Sequence, residues 1–348
     1  MKKRPLTEPL DPLLTSSYDY ELPEELIATH PVTPRDHARL LVYNRTDRSI
    51  IHSRFDEIER FIPQNCALIF NDTKVIKARL YGHKETGGAV ELLINRPLDA
   101  YRVNVYIRGR VKPKTRLLFA ENIAAEVTEL HEDGSRDVAF FHGKTIIRFE
   151  ELLGFLDRIG HIPLPPYLGR EDNSEDEREY QSVFAQYEGA VAAPTASLHF
   201  TEELFRSVCN THPHAFVTLH VGSGTFKPVE SQVITDHPMH SEYFSISDDA
   251  YDLIHSPSPL LCIGTTSTRT IEYHIRTGER DGEANLFLHP HNPPQRVNHL
   301  LTNFHLPQST LLMLVASFIG LEETHRVYAE AIAQKYRFFS YGDALLIL

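Results

Sequence analysis

The chain is rich in imidazoles, with 20 histidines among 348 residues. Imidazoles are the side chains best suited to proton transfer near neutral pH. Several stand in short polar stretches that follow apolar runs. At 218–226, which reads Thr218, Leu219, His220, Val221, Gly222, Ser223, Gly224, Thr225, Phe226, a strand runs into a Gly-Ser-Gly turn. Glycines there admit close backbone approach to a ligand, and His220 takes the strand-end position where open α/β sheets gather chemistry. A hairpin-like turn beside a core histidine fits the same text. Between 236 and 243, His237 and His240 alternate with Asp236 and Glu242, a set suited to acid–base work or metal binding. The H-x-x-H spacing departs from the H-E-x-x-H pattern and lacks an evident third ligand, so no metal is expected. At 263–269 an apolar strand enters a hydroxyl-rich turn and a helix. Free N–H groups with Thr265, Thr266 and Arg269 would suit an anion or carboxylate. Ordinary N-capping is the alternative, and neither a P-loop ending nor G-x-G-x-x-G is present. His199 lies in GAVAAPTASLHF (189–200), Asn303 and His305 in TNFHLPQST (302–310), and Tyr341 and Asp343 in YRFFSYGDALLI (336–347). Asn71, Asp72 and Arg79 lie in FNDTKVIKARL (70–80), which leads into a basic window.

Two kinds of element must position these groups. Residues 66–150 read as successive short strands broken at Gly87-Gly88, at 112–114 and at Asp133-Gly134, the last a strong hairpin signal. Such text predicts a small antiparallel barrel. From 148 onward helices and strands alternate: a helix over 149–159, another capped by Thr201, strands at 215–221, 260–264 and 298–303, and helices at 267–276, 309–319 and 322–334. A short helix at 23–29 and a helical turn at 56–61 are expected before the barrel. The fold class is therefore α/β, a layered α/β domain of 1–65 and 151–348 with an inserted small antiparallel β-barrel at 66–150.

Bulk composition restricts the function. The net charge of −12 argues against a polyanion partner, but its distribution does not. Between Lys74 and Arg116 eleven cations face three acids, so that window is +8 and the remainder is −20. Nucleic-acid binding needs a local positive field, and Lys74, Lys77, Arg108, Arg110, Lys112 and Lys114 are its candidates; a solvated basic face is the alternative. The N-terminal text has a basic tip without an apolar core, unlike a secretory signal, and the longest apolar run, 311–320, is too short to span a bilayer. Three dispersed cysteines make a disulfide framework unexpected and fit a reducing cytoplasm.

Taken in order, FNDTKVIKARL (70–80), HIPLPPY (161–167), GAVAAPTASLHF (189–200), FVTLHVGSGTFKPV (216–229), MHSEY (239–243), IGTTSTRT (263–270), LLTNFHLPQSTLLML (300–314) and YRFFSYGDALLI (336–347) resemble the S-adenosylmethionine:tRNA ribosyltransferase-isomerase family of queuosine biosynthesis. The ordered set covers almost the whole chain. Departures are Ser197 where the family has Gly, Lys77 where it has Pro, and the text at 289–297; the segment through about Thr15 lies outside the resemblance. The resemblance implies an α/β domain with an inserted barrel. It also implies a reaction in which S-adenosylmethionine is consumed as ribosyl donor, with no further cofactor. The acceptor is the 7-aminomethyl-7-deazaguanine wobble base of tRNA, and the products are epoxyqueuosine in tRNA, adenine and methionine.

That chemistry needs a base near the acidified carbon beside the sulfonium, a neutral acceptor amine, and a donor to the departing adenine. His199, His220, His240, Glu242 and His305 are the candidates for proton transfer, with Asp343 behind them. Thr265, Thr266 and Arg269 suit the methionine carboxylate; Asn303, Tyr341, Asn71, Asp72 and Arg79 complete the substrate-binding candidates. A monomer and no membrane contact are expected. The rival readings are a catalytically inert RNA-binding module built on the basic barrel and a metal-dependent hydrolase.

Overall fold

The computed structural model describes residues 10–222, 224 and 229–348. Ser223, Thr225 and Phe226 of the Gly-Ser-Gly turn stretch lie outside the described residues. A nine-stranded sheet forms the larger layer. Its order is Asp281–Ala284, Glu242–Ile246, His214–Leu219, Ala67–Asn71, Leu260–Ile263, His299–Asn303, Ala344–Ile347, Arg39–Tyr43, Ile50–Arg54. The strands His214–Leu219, Ala67–Asn71, Leu260–Ile263 and His299–Asn303 run parallel, so their carboxyl ends share one edge. Antiparallel strands flank them on both sides.

The central strands read as unbroken apolar text because both faces are covered: Ala67–Asn71, Leu260–Ile263 and Ala344–Ile347 are buried throughout. On one face the helices Asp248–His255, Thr265–Thr277, Thr310–Ile319 and Leu321–Ala333 contribute Ile254, Ile271, Val315 and Val327 to the core. On the other, the helix Glu202–Thr211 and the 3-10 segment Phe55–Arg60 bring Leu204, Val208, Phe55 and Ile58 against Leu68 and Phe70. Caps set the helix starts. Thr201 accepts from Leu204 N–H at 3.3 Å, and Ser309 accepts from Leu312 N–H at 3.2 Å. The expected helix at 23–29 is a single 3-10 turn, Glu24–Leu26, set between Pro23 and Pro31, and the helical turn expected at 56–61 is the 3-10 segment Phe55–Arg60 ahead of Pro63.

The barrel closes with six strands. Arg79–Lys84 pairs with Ala89–Pro97, then Arg102–Arg108, Ser135–His142, Ile123–Leu130 and Arg116–Leu118, which returns to Arg79–Lys84. Alternation fills its interior with Leu80, Leu92, Ile94, Val103, Val105, Val127, Val138 and Phe140, and Leu152 and Leu156 of the helix Phe149–Ile159 join that core. The Asp133-Gly134 hairpin forms as expected, with Gly134 at φ 88°. One strand differs from the sequence reading. Ala67–Asn71, grouped there with the barrel text, lies in the middle of the large sheet, since a fully buried strand carries no mark of which sheet it joins.

Asn71 ends that strand and is fully buried. Its Oδ1 accepts from Leu219 N–H at 3.0 Å and Thr73 N–H at 3.2 Å, while Nδ2 donates to Leu219 O at 3.0 Å and Thr266 Oγ1 at 3.1 Å. Replacing Asn71 with Ala strands buried backbone groups on both partners. A loss of about 3–5 kcal/mol in urea unfolding is expected; a loss under about 1 kcal/mol contradicts the clamp.

Candidate active site

A crevice of about 1320 Å³ opens between the barrel and the carboxyl ends of the parallel strands. Asn95, Asn104, Tyr106, His131 and Asp137 wall it on the barrel side; His220, Gly222, His240, Glu242 and Tyr243 wall it on the sheet side. Arg96 of the barrel reaches Glu283 of the sheet edge at 3.2 Å and ties the two walls. Among the described residues the lining holds seven carboxylates (132, 133, 137, 188, 230, 242 and 283) against one arginine. Its field therefore favours a cationic guest over phosphate.

His220 follows the strand His214–Leu219 and is held on three sides. Thr73 Oγ1 lies 2.7 Å from its Nδ1, Tyr243 stacks on it with ring centroids 5.7 Å apart, and Gly189 packs so closely that an added Cβ would meet the ring at 2.7 Å. The short parallel pairing of Tyr187–Ala190 with Thr73–Val75 brings Gly189 and Thr73 together. Burial pushes the imidazole down to about 4.

Glu242 is buried among donors. Arg269, itself buried, donates to Oε2, and Gly222 N–H donates to Oε1 at 3.0 Å. His240 Nε2 stands 3.4 Å from Oε1, an electrostatic contact rather than an aligned hydrogen bond. Burial alone would raise the carboxyl; the Arg269 guanidinium, seconded by His240 and Gly222, overrides it and holds the group at about 2. Glu242 is thus an ionised anchor with little basicity. Arg269, read from sequence as a clamp for a ligand carboxylate, grips this carboxylate of the chain itself. Thr265 and Thr266 stand half-buried at the start of the helix Thr265–Thr277, entered through Gly264 at φ 96°, where few other residues fit.

Thr265, Thr266 and Arg269 lie behind the crevice lining, and the remaining candidates do not line it either. His199 Nε2 bonds Asn303 Oδ1 at 2.9 Å, and Asn303 Nδ2 donates to Phe339 O and Ser340 O. His305 Nε2 bonds Thr302 Oγ1 at 2.8 Å. Asp343 accepts from Arg39 N–H and Arg337 N–H at 3.0 and 2.8 Å, and Tyr341 OH donates to buried Asp176. Through Asn303 and Asp343 the C-terminal segment is stapled to the sheet. Asp72 accepts from Thr218 Oγ1 at 2.7 Å, and burial raises its carboxyl. Arg79 is held by Glu91 and Leu164 O. Lys74 pairs with Glu188 and Lys77 with Glu177, each at 2.7 Å. Arg108, Arg110, Lys112 and Lys114 stay exposed at one end of the barrel. Sequence reading missed Thr73, Asn95, Asn104 and Asp137. Asn104, between Val103 and Val105, reads as a solvent-face residue but is buried, donating to Ser135 Oγ and Asp137 Oδ1. The stretch 236–243 forms no cluster of three metal-type ligands among the described residues. Glu129, His131 and Asp137 do bring three such atoms within 4.8 Å, with His131 Nε2 hydrogen-bonded to Asp137 at 2.8 Å.

A crevice at the ends of parallel strands, walled on its far side by an inserted domain, is the arrangement of α/β enzymes; this chain is of that class. The family model described as queuosine biosynthesis protein matches residues 15–347, and the chain belongs to that family. Proteins named S-adenosylmethionine:tRNA ribosyltransferase-isomerase are similar throughout. That of Sulfurimonas denitrificans is 63% identical over 97% of this chain and 98% of its own, and that of Nitratiruptor sp. is 59% identical over 97% and 100%. A crystal structure of S-adenosylmethionine tRNA ribosyltransferase from Thermotoga maritima, 31% identical, covers 95% of this chain and 100% of that one with a TM-score of 0.53. The resemblance read from the ordered stretches is the family found. Among the described residues no helix is long and apolar enough to cross a membrane.

The buried imidazoles have a consequence for stability. Burial pushes His199 down to about 4 and His305 to about 3. A histidine lowered in the fold is protonated first in the unfolded chain. Its contribution is present above about 6.5 and is lost as pH falls toward the folded value. Each should cost about 2 kcal/mol between pH 7 and pH 5. Urea unfolding at the two values measures it, with His305→Gln showing the smaller drop; equal stability of the parent chain at both contradicts it.

Proposed function

We propose that the protein transfers and isomerises the ribosyl group of S-adenosylmethionine onto 7-aminomethyl-7-deazaguanine at the wobble position of tRNA, giving epoxyqueuosine-tRNA, adenine and methionine. The carrying observation is membership of the family along residues 15–347. The acidic crevice supports the reading, because the sulfonium of the donor is a cation. Of the imidazoles that line it, His220 and His240 on the sheet side are the candidates to meet substrate, and Glu242 with Arg269 holds the sheet-side wall in a fixed charge state. The half-buried hydroxyls of Thr265 and Thr266, at the start of their helix, suit the methionine carboxylate. His199, His305, Asn303, Tyr341 and Asp343 act from behind as structural support. S-adenosylmethionine is consumed and no further cofactor enters the scheme. The enzyme acts as a cytoplasmic monomer.

The backbone of the tRNA meets Arg110, Lys112 and Lys114, with Arg108, exposed though 3.8 Å from Glu91, beside them, whereas Lys74 and Lys77 are held at 2.7 Å by carboxylates. The test is incubation with S-adenosylmethionine and tRNA bearing the aminomethyl base. Free adenine and a matching mass gain on the tRNA are expected; absence of both with folded enzyme contradicts the reading. The inert-module reading predicts salt-sensitive binding without adenine. In the same assay Arg110→Glu, Lys112→Glu and Lys114→Glu together should weaken tRNA binding at least about tenfold and reduce the salt slope by roughly two to three. Lys74→Ala should leave that slope unchanged; the reverse pattern contradicts the assignment.

A further inference from the structure

His220 is the crevice imidazole whose surroundings fix most about its protons. Thr73 Oγ1, 2.7 Å from Nδ1, is fully buried, and that is the one hydrogen bond its hydroxyl makes among the described residues. Two arrangements are open. Either the ring donates Nδ1–H to the hydroxyl, or the hydroxyl donates to an unprotonated Nδ1. The first leaves the Thr73 proton buried with no acceptor, an outcome that folded proteins avoid. The second satisfies both groups. A hydroxyl that donates to Nδ1 obliges the neutral ring to carry its proton on Nε2. Among the described residues Nε2 takes no hydrogen bond, and the ring lines the crevice.

We propose that Thr73 is a positioning residue which holds His220 as the neutral Nε2–H tautomer, so that His220 serves the reaction as a fixed hydrogen-bond donor and not as its general base. The substrate group it serves is a lone-pair-bearing nitrogen or oxygen that gains electron density as a bond to carbon breaks. The departing purine of the proposed reaction is such a group, so this role rests on that reading. No proton need be transferred: the N–H strengthens its hydrogen bond as negative charge grows on the acceptor.

Three further observations agree. The ring is confined by the Gly189 backbone, which lies too close for even a methyl group, and by the stacked Tyr243. Burial pushes the imidazole down to about 4, so it stays neutral at the pH of the cell. Glu188 and Glu242, which line the crevice with His220, are matched by Lys74 and Arg269. The phenol of Tyr243 hydrogen-bonds Asp281, away from His220.

The test is long-range 1H–15N correlation spectroscopy of the full-length protein labelled at histidine, with His220 assigned by the signal lost in His220→Gln. The Nε2–H pattern is expected at pH 7 and unchanged at pH 5.5. Thr73→Val should give mixed tautomers and Thr73→Ser the original one. With S-adenosylmethionine and the modified tRNA, Thr73→Val should lower kcat roughly tenfold or more with little change in KM, and Thr73→Ser should restore it. An Nδ1–H pattern, or titration near pH 6.5, overturns the inference whatever the activity. The expected tautomer with kcat unchanged in Thr73→Val overturns the donor role. The expected tautomer in a folded parent enzyme that releases no adenine overturns the proposed reaction and leaves the tautomer standing.

Discussion

The site depends on one buried amide. Asn71 sits where a central parallel strand ends, in the interior, with every polar atom engaged. It fixes the neighbouring strand at Leu219, one residue before His220. It fixes its own chain at Thr73, whose hydroxyl meets that histidine, and through Thr266 it touches the first turn of the helix Thr265–Thr277. A polar group taken out of water persists only when its partners are complete. That requirement converts a sheet edge into a site: three chain segments distant in sequence are brought into register by the bonding needs of one side chain.

The barrel then supplies what the sheet lacks. Closure removes its edges, and the same alternation that fills its interior turns Asn95, Asn104 and Asp137 toward the sheet as a polar wall. Charge is divided between the two ends of this small domain. The crevice end is acidic, while the exposed cations from Arg108 to Lys114 lie at the end of the strand Arg102–Arg108 and on the turn that follows it. On the proposed function a cationic small molecule and a polyanion meet different surfaces, which is compatible with an overall charge of −12.

Much of this was legible in the sequence, for identifiable reasons. Periodicity marked the helix Phe149–Ile159 to the residue, the Asp-Gly pair marked its hairpin, and the hydroxyl caps at Thr201 and Ser309 marked two helix starts. The polar stretches at strand ends marked His220 and Glu242. Local text could not tell a histidine that faces a crevice from one held in the interior. His199 and His305 follow apolar runs as His220 does, yet they bond Asn303 and Thr302 in the interior. The ion pair of Arg269 with Glu242 spans 27 positions and the Thr73–His220 contact 147, and neither leaves a trace in local spacing. Ala67–Asn71 was misplaced because a strand buried on both faces looks alike in a barrel and in a covered sheet.

The central claim is that the chemistry takes place in the crevice between the strand ends and the barrel wall. Hydrogen–deuterium exchange of the intact enzyme, alone and with S-adenosylmethionine plus the modified anticodon stem-loop, tests it most directly. Protection is predicted in the segments around 94–106, 217–222 and 240–246, with little change at the opposite end of the sheet near Cys209 and His212, which line a separate small pocket. Protection concentrated at that far pocket, with the crevice segments unaltered, would contradict the account.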